Sequence, residues 1–427
     1  MAPIEDHPLR YQLANELHAR PFPSMRAPCA AAYVAFKQPE MAVNRDRAKD
    51  VAHLQALLDR HGAPHPQPGA THYYGQIGRH WLKWEQHTEF VTYTIFSDGV
   101  EDRPFDARAF EPFPQEWLEA APGQRFTSVL IRVEPRPEEA EIKNRLLDWF
   151  VPESLAVSSV LDDAAVIAGD FRIDQNGNMR FAAFISEQTG QRRVGRIVQR
   201  LCEIETYKSM SMLGFARART TGAQLTALDT RLIELVESMS GEHAEAEETL
   251  RALLSISAEL ESLSAQSSFR IGATRAYEAI VNERIEALRE DRYQGRQTFA
   301  EFMMRRYQPA MRTVQSTERR LAAMSDRSVR AADLLRTQVD VERSAQNQAL
   351  LESMDRRSDL QMRLQRTVEG FSAVAISYYS VSLLSYLFYS LEATTGVSKN
   401  LMTALITVPV VFLVWTAIKR LKSKVER

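Results

Sequence analysis

Cysteine is nearly absent from this chain of 427 residues, in which Cys29 and Cys202 are the only two. Two cysteines exclude the dense disulfide framework that small secreted domains need. The first residues contain no basic stretch leading into an apolar run, so we expect no cleavable signal peptide. The net charge is only −2, so the chain has no overall positive charge to attract a polyanion. Nucleic acid is therefore not a predicted partner.

The motifs of common enzyme classes are also missing. The chain contains no G-x-x-x-x-G-K-[ST], G-x-G-x-x-G, C-x-x-C or G-x-S-x-G. Asp174, Asn176 and Asn178 imitate the opening of a calcium loop, but Met179 and Ile185 stand where that loop needs Gly and Glu. We predict that the protein is not an enzyme, with no catalytic residue and no cofactor.

Charge is absent from two C-terminal segments, residues 371–391 and 401–418, which are followed by the basic tail 419–427. As helices they would span roughly 32 and 27 Å, close to the ~30 Å hydrocarbon core of a bilayer. Basic residues stay on the cytoplasmic side. We predict a multi-pass protein in the bacterial inner membrane, with both termini cytoplasmic. The alternative is a pair of buried helices in a soluble bundle.

The remaining chain changes character near residue 190. Residues 1–190 alternate strand and helix patterns, which predicts an α/β domain with a sheet of four to six strands. Strand signals vanish over residues 191–369, where Pro309 is the only proline. About sixty residues after Pro309 predict one long stalk helix with a thin apolar stripe, which needs partner helices of a coiled coil. The predicted fold class is α+β, with the hairpin 370–418 as a transmembrane part.

Hydroxyl groups mark one face of the first apolar segment. Tyr378, Ser382, Ser385 and Tyr389 are spaced 4, 3 and 4 residues apart, so they align on a helix. This face is a candidate pore lining, and the alternative is packing against a neighbouring helix.

Three carboxylates recur every seven residues along the predicted stalk, at Asp326, Asp333 and Asp340. Rings of carboxylates in an oligomer attract cations. The alternative is a solvated face, paired with arginines of the same helix.

A third candidate site lies in residues 1–190. On a strand, Glu85, His87 and Glu89 share one face, opposite to Trp84 and Phe90. A histidine between two carboxylates has a raised pKa and is able to bind a metal or donate a proton. Glu16 and His18 are further candidates for this site, although no particular metal is predicted. The alternative is a solvated, charge-paired strand face.

Three segments resemble the signature of a known family: residues 7–10 (HPLR), 15–21 (NELHARP) and 84–90 (WEQHTEF). They look like those of the domain-of-unknown-function 3422 family of bacterial membrane proteins. This resemblance implies no activity.

The order of parts is similar to that of the CorA-type magnesium transporters. That resemblance implies five subunits around a pore formed by the first span, with long helices that sense a divalent cation such as Mg²⁺. The family's Gly-Met-Asn motif is absent at residues 389–391, and the loop 392–398 offers hydroxyls and one carboxylate instead.

We therefore expect a homo-oligomer in the lipid bilayer that acts as a channel or transporter for a cation or small solute. An alternative is a sensing or scaffolding protein without transport, which binds a cytosolic protein partner. A further alternative is a membrane-tethered metal-binding or enzymatic domain.

Overall fold

A computed structural model describes residues 4–11, 13–14, 22–40, 42–239, 246–388 and 398–425. The chain divides into two compact units. The first, here called the α/β unit, comprises Met1–Ala244 and Arg251–Ala331; the second, the C-terminal unit, comprises Glu245–Leu250 and Ala332–Arg427. The predicted α+β class is confirmed, because the N-terminal half forms one sheet and long helices follow it.

The sheet of the α/β unit has nine strands in the order β2-β3-β4-β1-β5-β8-β7-β6-β9. Their bounds are β1 Cys29–Lys37, β2 His72–Ile77, β3 His80–Gln86, β4 Phe90–Asp98, β5 Gln124–Pro135, β6 Ala156–Val160, β7 Ala165–Gly169, β8 Met179–Ile185 and β9 Glu290–Arg292. Strand β5 runs parallel to β8, and the other neighbours are antiparallel. The structure thus has more strands than the four to six predicted. One of them, β9, lies inside the region 191–369 that was predicted to be helical.

Eight α-helices whose bounds lie in the described residues accompany these strands, together with the 3-10 helices Ala42–Asn44 and Ala107–Phe110. Their bounds are α1 Arg47–Arg60, α2 Gln115–Glu119, α3 Glu139–Trp149, α4 Gln191–Ser238, α5 Ala246–Glu286, α6 Phe299–Arg306, α7 Gln308–Phe388 and α8 Lys399–Val425. Helix α6 begins with a capping box, in which Thr298 and Glu301 satisfy each other's backbone N–H groups. Pro309 stands in the first turn of α7, where its missing N–H costs no helical hydrogen bond.

Both faces of the sheet are covered by helices. On one face, α1 and α2 pack against β1, β3 and β4, and α3 packs against β6, β7 and β8. On the other face lie residues of α4, α5, α6 and the first turns of α7. The compact unit therefore extends well beyond residue 190. Burial on both faces also explains why strands such as β1 consist almost wholly of apolar residues.

The C-terminal unit contains the two apolar helices that the sequence predicts. Helices α7 and α8 each contain an 18-residue window that is long and apolar enough to cross a membrane, by length and composition. The end of the first predicted apolar segment, residues 389–391, lies outside the described residues. Crossing of a bilayer stays a prediction.

Candidate functional site

The segment 84–90 forms a hairpin rather than one continuous strand. Strand β3 ends at Gln86, a turn covers residues 87–89, and β4 begins at Phe90. The His87 N–H donates a hydrogen bond to the Phe90 carbonyl oxygen, 2.9 Å away. Because the turn interrupts the alternation of the strand, Phe90 lies on the same side as His87, and their rings stack with centroids 4.3 Å apart. The expected opposite placement of Phe90 is therefore wrong, whereas Trp84 does pack into the core on the other face.

A buried guanidinium holds this turn from the side of α1. Arg45 donates hydrogen bonds to the carbonyl oxygens of His87 at 2.6 Å and Phe90 at 3.1 Å, and also to that of Thr88. Its side chain and that of Asp50 are 2% and 1% exposed and form an ion pair of 3.0 Å. Buried carbonyls need such partners, since an unpaired one costs about 1–3 kcal/mol. The hydrogen bonds of Arg45 thus fix the conformation of the turn within the segment 84–90.

Glu89 connects the turn to helix α5. Its carboxylate is 1% exposed, pairs with Arg270 and accepts a hydrogen bond of 3.0 Å from the Tyr277 hydroxyl. Burial, followed by the charge of Glu89, raises the pKa of Tyr277. The contacts of Glu89 therefore lead to the α5 helix, and it does not lie in the cavity described next.

A cavity of about 290 Å³ lies between this part of the sheet and helices α4 and α5. Its walls come from the segment preceding β1, the strands β1, β3 and β4, and the two helices. The lining residues are Phe22, Tyr33, Lys83, Glu85, His87, Phe90, Thr92, Thr94, Phe96, Gln199, Arg200, Cys202, Glu203, Thr206, Tyr207 and Arg284. Glu85 and His87 of the predicted site are among them.

The charged residues of this cavity are mostly engaged with one another. The Lys83 ammonium, on a side chain 5% exposed, lies 3.2 Å from a carboxylate oxygen of Glu85. Arg284 pairs with Glu203 across α4 and α5. Arg200 donates a hydrogen bond of 2.9 Å to the Ala287 carbonyl oxygen. Burial lowers the pKa of Arg200 from its ordinary value.

The neutral groups of the cavity are held in their protonated forms. The Tyr33 hydroxyl lies 2.5 Å from the Thr206 hydroxyl, and burial raises the pKa of Tyr33 well above its ordinary value. Burial also raises the pKa of the Cys202 thiol. Because the thiolate is the nucleophilic form of cysteine, Cys202 is not activated for covalent chemistry.

Two buried polar atoms of this cavity have no hydrogen-bond partner among the described residues. One is Lys83 Nζ, whose contact with Glu85 has the distance of an ion pair without the geometry of a hydrogen bond. The other is Gln199 Oε1, whereas the amide nitrogen of Gln199 donates to Glu203 at 2.6 Å. Buried polar atoms in folded proteins are nearly always paired with protein groups, water or a ligand, so these two atoms are the groups of this cavity that a polar ligand would satisfy.

A family model described as protein of unknown function (DUF3422) matches residues 5–425 of the chain. The chain belongs to the DUF3422 family. No curated protein and no solved structure matches it.

In this DUF3422 chain the predicted metal set is only partly placed. Glu16 and His18 lie outside the described residues, and Glu89 is paired with Arg270. The part of the chain that the structure describes contains no group of three or more His, Cys, Asp and Glu side chains able to hold a metal ion. Metal binding stays a prediction.

The acidic residues of the DUF3422 chain's α7, Asp326, Asp333 and Asp340, are each exposed. Arg343, an arginine of the same helix, pairs with Glu247 of α5 at 3.2 Å. Each aspartate therefore lies on a solvent-exposed face of the helix. Their predicted role in attracting cations is untested.

The hydroxyl face of α7 contacts its neighbouring helix. The Ser385 hydroxyl donates to the Thr403 hydroxyl of α8 at 3.5 Å, and Ser382 and Ser385 are half-buried. Tyr378 is 69% exposed, and Tyr389 lies outside the described residues. The contact of Ser385 matches the alternative of packing between helices.

Sequence analysis missed most of the cavity. The charged and amide groups of the lining come from three segments far apart in the chain, so no local motif connects them. These groups are Lys83 on β3, Gln199, Arg200 and Glu203 on α4, and Arg284 on α5. The one local signal was Lys83, a charged residue between Leu82 and Trp84 in β3.

Proposed function

We propose that this protein is a membrane-anchored ligand-binding protein whose α/β unit senses a small polar molecule in the cavity between β3 and α4. The observation that carries the proposal is the pair of orphaned buried atoms, Lys83 Nζ and Gln199 Oε1, in that cavity. The α8 helix and the apolar part of α7 supply the anchor, in the bacterial inner membrane with both termini cytoplasmic.

The size and chemistry of the cavity support binding more than catalysis. Ligand sites are typically concave, of roughly 300–1,000 Å³, with an apolar lining and a few placed polar groups. The cavity of about 290 Å³ is near the lower end of that range and combines Phe90 and Phe96 with its polar groups. Its thiol and phenol are held protonated, because burial raises the pKa of Cys202 and of Tyr33. Neither is poised as a nucleophile or base.

Self-association belongs to the same proposal. Apolar side chains of α7 within the C-terminal unit are largely exposed, among them Leu350 at 61%, Leu360 at 64% and Leu364 at 69%. A helix with such a stripe is stabilised by partner helices in a coiled coil. We propose that the partners are α7 helices of further subunits. The CorA-like resemblance suggests five.

The ligand-binding proposal is tested with the full-length protein in detergent. Thr94 lines the cavity and is 6% exposed, so Thr94→Phe fills the cavity, whereas Thr313→Phe adds the same ring to the surface of α7. A metabolite library is screened by thermal shift. We expect at least one compound to stabilise the wild type and Thr313→Phe but not Thr94→Phe. A library without effect on the wild type, or an effect retained in Thr94→Phe, contradicts the proposal.

A second candidate function is transport of a cation or small solute. One observation favours it: α7 is a single helix whose first turns, with Met311 and Val314, belong to the core of the α/β unit, and which contains residues 371–388 of the first apolar segment. The resemblance to CorA-type transporters implies such a helix. Flux of Mg²⁺ or another solute into proteoliposomes should then be abolished by Ser382→Leu but not by Ser372→Leu. Unchanged flux in Ser382→Leu removes the pore assignment.

The remaining alternatives stay predictions. A metal site at His87 requires stoichiometric metal in the purified protein that disappears in His87→Ala. A scaffolding role requires a specific cytosolic protein partner, recovered with the detergent-extracted chain and absent when the α/β unit is unfolded.

A further inference from the structure

We infer that the ligand of the cavity is a small carboxylate that also carries a hydrogen-bond donor, such as a hydroxy acid or an amino acid. The inference rests on the proposed function, since it names the ligand class of the same cavity.

The Lys83 ammonium calls for an oxyanion. It has three N–H donors, and its side chain is 5% exposed, so water has little access to it. Glu85 lies 3.2 Å away, and no hydrogen bond of acceptable geometry satisfies the ammonium among the described residues. A carboxylate in the cavity would accept at least one of these donors.

The Gln199 side chain calls for a donor. Its amide nitrogen donates to a carboxylate oxygen of Glu203 at 2.6 Å. The reverse orientation of the amide would place two acceptor oxygens against each other, so the hydrogen bond fixes the assignment. The amide oxygen is then a buried acceptor without a partner. A hydroxyl or ammonium group on the ligand would supply its missing proton.

The charges of the lining favour a single negative charge on the ligand. The described lining carries three cationic residues, Lys83, Arg200 and Arg284, against two carboxylates, Glu85 and Glu203. Arg284 is paired with Glu203, and Arg200 donates to a backbone carbonyl. Lys83 lies beside Glu85, so the five groups together carry a net charge of +1, which a dianionic phosphate would exceed.

The volume sets the size of the ligand. The cavity of about 290 Å³ is near the lower end of the range of ligand sites, so it suits a small molecule rather than a drug-sized one. The rings of Phe90 and Phe96 give its apolar part a surface to contact. A medium-sized amino acid or hydroxy acid has this size.

The experiment is isothermal titration calorimetry on the full-length protein in detergent, with four matched probe sets. These are the amino acids, the corresponding 2-hydroxy acids, the decarboxylated amines and small phosphate monoesters. Lys83→Met removes the ammonium, Gln199→Leu removes the orphaned acceptor, and Lys143→Met is the control, because Lys143 is exposed on α3. Thermal melting of each variant shows that it is folded.

We expect a member of the first two sets to bind the wild type, and to bind Lys83→Met at least about tenfold more weakly. Gln199→Leu should weaken the same probe without changing the preference for carboxylates, and Lys143→Met should leave binding unchanged. Binding of amines or phosphate monoesters that is unaffected by Lys83→Met overturns the ligand class and leaves the proposed function standing. Absence of binding by all four sets, together with no effect in the library screen, overturns both.

Discussion

The α/β unit and the exposed part of α7 use charge in opposite ways. Around the hairpin 84–90 of the α/β unit, two ionic side chains are buried and each meets several partners: Arg45 with Asp50 and three carbonyl oxygens, and Glu89 with Arg270 and Tyr277. Along α7, the pair Arg356 and Glu352 is 81% and 57% exposed, and its atoms lie 3.9 Å apart.

The two regions differ in which contacts fix their conformation. A buried charge that loses its partner costs several kcal/mol, so the buried pairs permit one arrangement of the hairpin 84–90 and thereby shape the cavity. An exposed pair contributes about 0–1 kcal/mol and fixes little. The exposed part of α7 therefore depends on apolar contacts with other helices, whereas the α/β unit depends on its internal polar contacts.

The largest effect is expected from removing the Arg45 guanidinium, which holds the turn at residues 87–89. Arg45→Met leaves Asp50 as an uncompensated buried charge and removes the Arg45 donor from the carbonyls of residues 87 and 88. The Phe90 carbonyl also loses this donor but keeps the N–H of residue 87. We expect a loss of about 3–5 kcal/mol in the free energy of unfolding of the α/β unit. Urea denaturation followed by the fluorescence of the buried Trp84 and Trp117 measures it. A loss below about 1 kcal/mol would show that the stability of the α/β unit does not depend on the contacts of Arg45.

The pH dependence of stability sharpens the same contrast between buried and exposed groups. His53 is buried, its ring nitrogens contact the Tyr93 hydroxyl at 2.8 Å and the Trp117 carbonyl oxygen at 2.9 Å, and burial lowers its pKa to about 4. The unfolded chain takes up this proton near pH 6.5, and the folded chain only near pH 4. The stability contributed by His53 is therefore fully present above pH 6.5 and is lost as the pH falls towards 4.

The expected size is on the order of 1–3 kcal/mol over that interval. Urea denaturation at steps of half a pH unit measures it. His53→Phe should remove most of this dependence of the unfolding free energy on pH. His65→Phe should keep it, because 45% of the His65 side chain is accessible to water. Equal slopes in His53→Phe and the wild type would assign the pH dependence to other groups.

Self-association tests the apolar side of the comparison. Leu364 is 69% exposed in the single chain, and its burial by another subunit would contribute about 1.5–3 kcal/mol. Leu364→Ala should remove much of this burial free energy and raise the dissociation constant of the detergent-solubilised oligomer about tenfold. Size exclusion with light scattering, with and without millimolar Mg²⁺, gives the mass. Gln365→Ala is the polar control in the same turn, and a monomeric wild type would refute self-association.

Local signals in the sequence were enough for part of this fold. The Asn176-Gly177 pair predicts the turn before β8, and the structure places Gly177 there at a φ of +83°. Glu138 and Glu139 mark the start of α3, where the N-terminal partial charge of the helix favours acidic residues. The two uncharged apolar segments likewise predict the helices at the C-terminus.

Elements set by contacts between distant segments were not predictable. Glu290–Arg292 has no strand propensity, and it becomes β9 only because it pairs with Ser158–Val160 of β6. The turn at 87–89 contains no Gly or Asn, so β3 and β4 read as one strand. The cavity depends on the same kind of contact, since Lys83 and Gln199 line one cavity only after α4 packs on the sheet.

The smallest effect is expected from the exposed pair on α7. Arg356→Met removes the partner of Glu352, yet both side chains stay in water, which screens the charge that is left. We expect a change of less than about 0.5 kcal/mol in the free energy of unfolding, and less still in 0.5 M salt. Urea denaturation in low and high salt measures it beside Arg45→Met. A change comparable to that of Arg45→Met would mean that Arg356 is buried against another subunit, and α7 would then use charge as the α/β unit does.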